Sequence, residues 1–206
     1  MSRRIKKRTD IPDISVEEVE KWLTVWNSKD EYTIPEEAMN HLFFGEGKLN
    51  TDIETVLIKC TLVNYFYSTN IFKIVEIAKH IVKLDIDKRV ENDDLSVVSD
   101  IARITIRDKE GNNKSKDFYS FATKYCSRHK PDIYPIYDSY VVKILKYYRG
   151  IGEFNEQFTD VSLRDYNTFK RVIFAFRKCF HLERFSIKEL DMFLWQFGKK
   201  YFPNKY

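Results

Sequence analysis

Punctuation is scarce in this chain, and that scarcity limits the folds open to it more than any other feature of the sequence. Only six Gly and five Pro are spread over 206 residues. Tight strand-to-strand turns rely on such residues, so the pattern favours long helices over many short strands. Helix start signals recur instead. Ser15 with Glu18, Thr51 with Glu54, and Ser186 with Glu189 each have the spacing of a capping box. Val16, Val19, Leu23 and Trp26 then fall on one helical stripe, and "IFKIVEIAKHIVKL" is amphipathic at the same period.

Walking onward, Pro35 opens a short helix closed by Gly45, and "IETVLIKCTLVNYFY" forms a strongly apolar one. Asp93 or Asp94 caps "LSVVSDIARITI". "RDKEGNNKSKD" (107–117) reads as a loop, and "FYSFATKYCSRH" resumes a helix that Pro131 and Pro135 end. Residues 139–149 make a helix stopped by Gly150 and Gly152, and residues 162–181 make a long aromatic one before the last, "LDMFLWQFGKKYF". "ARITIRD" is the single segment with strand character, and the expectation for it is not a strand. The fold class expected is all-α, with eight or nine helices.

The length suits one helical domain over 11–206, preceded by a basic arm over 1–10. The acidic "DIDKRVENDD" (85–94) fits a hinge and a surface loop equally well. Cys60, Cys126 and Cys179 are widely spaced with no C-x-x-C pair, which argues for reduced thiols and against a metal or iron–sulfur centre. There is neither a long apolar run nor a secretory leader, so a cytoplasmic protein with no membrane span is expected. The net charge is +4, with cations gathered at Arg3, Arg4, Lys6, Lys7 and Arg8, and again between Lys114 and Arg149. Such a face suits a polyanion; a mixed solvated surface explains the charge equally well.

Asp138 stands out. In "YPIYDSYVVKIL" (134–145), Pro135 biases its surroundings towards extended backbone, and helix resumes at Ser139. Asp138 therefore sits at an N-cap, where free amides and the helix dipole favour an ionised carboxylate. An ordinary cap and a catalytic carboxylate both fit these residues.

The segment resembles the one in helix-hairpin-helix (HhH-GPD) DNA glycosylases that delivers the catalytic aspartate to a helix start. Pro135, Ile136, Asp138, Ser139, Val141, Lys143, Ile144 and Leu145 match that pattern in order. A weaker likeness lies in "LVNYFYSTNIFKIVEIA", which is similar to the family's early helix-turn-helix. The resemblance implies two packed helical layers around a central cleft, and a monofunctional glycosylase that flips and excises a damaged or modified base. Asp138 would stabilise the oxocarbenium ion and activate water. Asn64, Ser68, Thr69 and Asn70 would face the DNA. A hairpin at 111–119 would turn at Gly111, Asn112 and Asn113 and meet a phosphate with Lys114 and Lys116. Tyr137 and Tyr140 flank Asp138 as pocket residues, with Ser139 beside them.

Lys124 is a phosphate contact or solvated helix residue on one reading and a Schiff-base nucleophile on the other. No cofactor or metal is implied. The resemblance implies double-stranded DNA as the partner and a monomeric chain, with defence against phage carrying modified DNA as one setting for such an activity. The alternatives are a non-catalytic nucleic-acid-binding module and a helical interaction protein.

Overall fold

The computed structural model describes residues 5–204. Among them the chain is mainly helical, with ten α-helices, one short 3-10 turn and a two-stranded antiparallel ribbon. It divides into two compact units. The first is built from both ends of the chain, through Asp30 and again from Tyr137; the second is the continuous stretch Glu31–Ile136. The acidic 85–94 segment marks no division, because it lies wholly inside the second unit.

In the terminal unit, helix α1 (Val16–Asn27) and helix α8 (Ser139–Ile151) both pack on α10 (Ile187–Tyr201), and α9 (Tyr166–Cys179) follows the 3-10 turn Ser162–Arg164. Asp165 caps α9 by accepting from the Thr168 amide at 2.8 Å, so the long aromatic helix expected from residue 162 begins a turn later. The core is aromatic. Phe176 meets Phe154 and Tyr148 edge-on, at 5.3 and 6.1 Å between ring centres. Edge-to-face pairs of this kind add about 1 kcal/mol each beyond the area they bury.

The Ser186–Glu189 capping box forms in full: the Ser186 hydroxyl accepts from the Glu189 amide and the Glu189 carboxylate accepts from the Ser186 amide. At Ser15 only half forms, because Glu18 instead accepts from the Trp22 indole N–H at 2.8 Å. The described part of the basic arm, residues 5–10, is seated. The Arg8 amide donates to the Tyr147 hydroxyl at 2.8 Å, Lys7 pairs with Asp13 and Glu153, and Ile5 lies against Gly150. Arg3 and Arg4 lie outside the described residues.

The middle unit holds α2 (Asp30–Phe44), α3 (Ile53–Phe66), α4 (Ile74–Leu84), α5 (Asp87–Glu91), α6 (Ser96–Ala102) and α7 (Tyr119–His129). Pro35 lies inside α2 rather than at its start, one intrahelical hydrogen bond being given up for a longer helix. At α3 the cap is Asp52, which accepts from the Thr55 amide at 2.7 Å, one residue beyond the expected Thr51. A carboxylate is the stronger acceptor and complements the helix dipole as well. Strands β1 (Arg103–Arg107) and β2 (Asn113–Asp117) pair between α6 and α7, against the expectation of a loop. Ile104, Thr105 and Ile106 are β-branched and prefer this conformation once a partner strand is present.

The α8–α10 contact in the terminal unit is unusually close. A methyl group at Gly198 would stand 2.5 Å from the Tyr140 Cβ and 3.3 Å from its Cα. Gly198→Ala is therefore expected to destabilise the protein by about 1–3 kcal/mol, read as a lowered midpoint in urea.

Candidate functional site

Asp138 lies one residue beyond Tyr137, where the chain re-enters the terminal unit. Its backbone is extended (φ −139°, ψ 152°), as the preceding proline demands, and its Oδ1 accepts from the Tyr140 amide at 2.8 Å. The carboxylate is half-buried and Ser139 is exposed. Tyr137 meets Phe169 edge-on at 5.3 Å, with the Arg164 guanidinium over its ring at 5.8 Å. Tyr140 is held by its close approach to Gly198, with the Lys143 ammonium 5.5 Å from its ring centre. Two tyrosines thus flank the aspartate in the sequence, each anchored on a helix of the same unit.

The remaining candidates belong to the middle unit. Asn64 does not face outward; it is the internal tie of the α3–α4 turn. Its Oδ1 accepts from the Thr69 hydroxyl at 2.7 Å and the Ile71 amide at 2.9 Å, and its Nδ2 donates to the Ile71 carbonyl at 3.0 Å. Thr69 is spent on the same tie, and its amide donates to the Asn64 carbonyl. Ser68 (φ 49°) and Asn70 (φ 56°) are left-handed and exposed at the tip. Such geometry costs energy in a non-glycine residue and persists only where its surroundings hold it. Beside them Phe72 is 98% exposed and Tyr65 74% exposed, which sequence periodicity alone did not single out.

The hairpin expected at 111–119 is a strand ribbon closed by a tight turn, and α7 has already begun at Tyr119. Asp108 organises the turn: its Oδ1 accepts from the amides of Glu110 and Asn112, both at 2.9 Å, and Gly111 takes φ +86°. Lys114 pairs with Asp108 at 3.0 Å, an ion pair that, with those amides, holds the carboxyl below the usual range. Lys114 and the Asn112 amide therefore serve the turn. Asn113 and Lys116 are exposed on β2. No glycine-rich backbone approaches a phosphate here, because the turn connects strands and not helices.

Helix α7 carries a buried polar row of which the sequence pointed only to Lys124. Ser120, Lys124 and Arg128 recur every four residues along it, and the latter two are buried, at 2% and 3% exposed. The Lys124 ammonium donates to the Ser120 hydroxyl at 2.6 Å and lies 5.8 Å from the Tyr67 ring centre. Arg128 donates to both Glu36 oxygens at 2.8 Å and to Asn40 at 2.6 Å. Lys124 is thus no solvated helix residue. The signal was present as a four-residue spacing of polar groups within an otherwise apolar helix.

Behind that face, Asn50 accepts from the Tyr125 hydroxyl at 2.6 Å and from the Lys59 ammonium at 3.2 Å, while Asp87 accepts from the Asn50 amide at 2.9 Å. Burial pulls Lys59 down to about 8 against the opposing pull of Asp87. His129 lies against Phe43 and Tyr125, with ring centres 4.9 and 5.4 Å away, and its Nε2 has no hydrogen-bond partner. Burial first, then Lys59 and Arg128, lower its pKa to about 3. It is a neutral ring packed between aromatic neighbours.

Among the described residues, no group of three His, Cys, Asp or Glu side chains is arranged to hold a metal ion, and no helix is long and apolar enough to cross a membrane.

Two measurements follow from these ties. Asn64→Ala removes three hydrogen bonds of one turn and is expected to cost about 1–3 kcal/mol, with amide exchange accelerated first at Thr69 and Ile71. For His129, the folded pKa lies below the unfolded 6.5, so below that pH the unfolded chain binds a proton the native state does not. Stability is full above pH 6.5 and falls by about 1.4 kcal/mol per pH unit towards acid. Urea titrations of wild type and His129→Phe across that range should differ by this slope.

Three comparisons place the chain among known proteins. Residues 18–133 match the model of the HI_0787_N family, described as an N-terminal domain. That stretch takes in nearly all of the middle unit and ends before Asp138. A protein of Haemophilus influenzae (strain ATCC 51907 / DSM 11121 / KW20 / Rd), described as uncharacterized, is 44% identical over 155 residues, covering 75% of this chain and 71% of the relative. No solved structure matches.

Proposed function

This chain belongs to the HI_0787_N family, and we propose that it acts as a monofunctional DNA glycosylase on a damaged or modified base. One observation carries the proposal: Asp138 is presented as a half-buried carboxylate on extended backbone at the first turn of α8, oriented by the Tyr140 amide. A fixed carboxylate needs no reorganisation when positive charge develops at C1′ of the deoxyribose, and can take the proton of an incoming water. On this reading helical layers enclose a cleft for the flipped base, and Tyr137 and Tyr140 offer π-faces to it.

Lys124 has the second role. Lys124, buried and hydrogen-bonded to Ser120, is the candidate amine nucleophile, and its contribution separates simple excision from excision coupled to strand cleavage. The monofunctional reading assigns it a structural or phosphate-binding part. The strand ribbon in place of a glycine hairpin favours the second reading, a non-catalytic nucleic-acid-binding module.

The test is abasic-site formation on damaged oligonucleotides and hypermodified phage genomes, read as strand breaks after hot alkali. Wild type is expected to produce alkali-dependent breaks. Asp138→Asn keeps an oxygen for the Tyr140 amide, and should lower the rate by at least about 100-fold with unchanged stability and DNA affinity. Breaks without alkali, together with borohydride trapping that Lys124→Gln abolishes, would replace the monofunctional assignment. Binding without breaks on any substrate would establish the module.

A further inference from the structure

The β1–β2 ribbon has two unlike faces. In its register Ile104 and Ile106 oppose Lys116 and Lys114 on one side, and Ile104 is buried. On the other side Arg103, Thr105 and Arg107 oppose Asp117, Ser115 and Asn113, and all six are exposed. Side chains alternate along a strand, so seating the isoleucine face against the unit's helices turns the second face to solvent. Every group on that face can donate or accept a hydrogen bond, and it offers no large apolar side chain to a protein partner.

The ribbon also continues into a second surface of the same unit. The Lys73 ammonium donates to the Arg107 carbonyl, which fixes the end of β1 beside the start of α4. Phe72, the most exposed of the large apolar side chains, is the residue before Lys73. A basic, hydrogen-bonding strip therefore ends at an isolated aromatic ring. Lys114 answers Asp108 at the turn, and Asp117 stands opposite Arg103 in the register.

We propose that this outward ribbon face is a duplex-DNA-binding element that lies in the major groove, with Phe72 flanking it. A two-stranded ribbon is the one sheet element narrow enough for that groove. Five residues of strand span about 17 Å, enough to follow several base steps. Arg103 and Arg107 supply planar donors for guanine edges or phosphates, Asn113 pairs with adenine, and Thr105 and Ser115 accept either base. Phe72 presents a ring that stacks on an unpaired base. The inference rests on DNA being the substrate proposed above, and it supplies a grip in place of the glycine hairpin.

The experiment measures binding of the full chain to a fluorescein-labelled duplex of about 30 base pairs, and to its single strand, between about 50 and 200 mM KCl. The variants are Arg103→Gln/Arg107→Gln and Arg103→Lys/Arg107→Lys, with circular dichroism and urea midpoints as controls on folding. The glutamine pair should weaken duplex binding at least tenfold, flatten the salt slope by about two, and affect the single strand much less. The lysine pair should restore the slope without restoring the full affinity, because ammonium groups cannot make the bidentate contact.

Equal duplex binding by wild type and the folded glutamine pair overturns the ribbon assignment and leaves the glycosylase reading intact. An equal loss on single-stranded DNA overturns the groove geometry in favour of plain charge attraction. No duplex binding by wild type overturns both proposals, whereas normal ribbon-dependent binding with no excision on any substrate removes the glycosylase reading alone.

Discussion

Burying the Lys59 ammonium is the constraint on which the middle of the chain depends. An isolated buried cation is prohibitively costly, so the surrounding backbone must bring acceptors to it. Here the carbonyls of Lys48 and Leu49 and the Asn50 side chain do so, at 3.0, 3.1 and 3.2 Å. Asn50 is in turn held by Asp87 and Tyr125. One ammonium group thus fixes the loop before α3, the helix α5 that carries Asp87, and the helix α7 that carries Tyr125. Breaking the network leaves a charge without partners, which is why such networks specify one arrangement more strongly than their net energy suggests.

That network also sets the character of α7. With Tyr125 and His129 turned into the core, the helix must turn Lys124 and Arg128 another way, where Ser120, Glu36 and Asn40 meet them. The result is a helix with polar contacts on more than one side, in which Lys124, Tyr125 and Arg128 each meet a named partner. Buried cations on such a rigid element are well placed for chemistry, since their rotamers are already chosen. At the outer end of the same unit the Asn64 turn and the Asp108 turn play an equivalent part, each spending an acceptor side chain on backbone amides so that the residues beyond it are held out in solvent.

Much of the local structure was legible from residues a few positions apart. Most helices, the Ser186 box, the cap at Asp138 and the extended backbone before it depend on contacts within four residues and appear as expected, whereas Pro35 lies inside α2, α6 gives way to strand at Arg103 and α8 runs through Gly150. The shift from Thr51 to Asp52 is the same kind of local competition, decided by the stronger acceptor. The ribbon was not legible, because Asn113–Asp117 is polar throughout and gains strand character only by pairing with Arg103–Arg107. Nor was the fate of Asn64, whose three partners are supplied by a turn that exists only once α3 and α4 pack. The resemblance to DNA glycosylases rests on the aspartate segment and gave no hint of a strand ribbon.

By itself the sequence determined a predominantly helical chain, where most helices start and stop, and a carboxylate at the mouth of α8, since caps, prolines and periodicity act through neighbouring peptide groups. Tertiary structure alone decided which polar side chains would be buried and which large apolar ones exposed. Lys59, Lys124 and Arg128 are buried because acceptors distant in sequence converge on them, and Phe72 is exposed because the Asn64 tie turns the chain outward at that point. Tertiary structure decided also that segments from before Asp30 and after Tyr137 share one unit, in which α8 and α1 both pack on α10. Such choices depend on groups separated by tens of residues, and no local pattern records them.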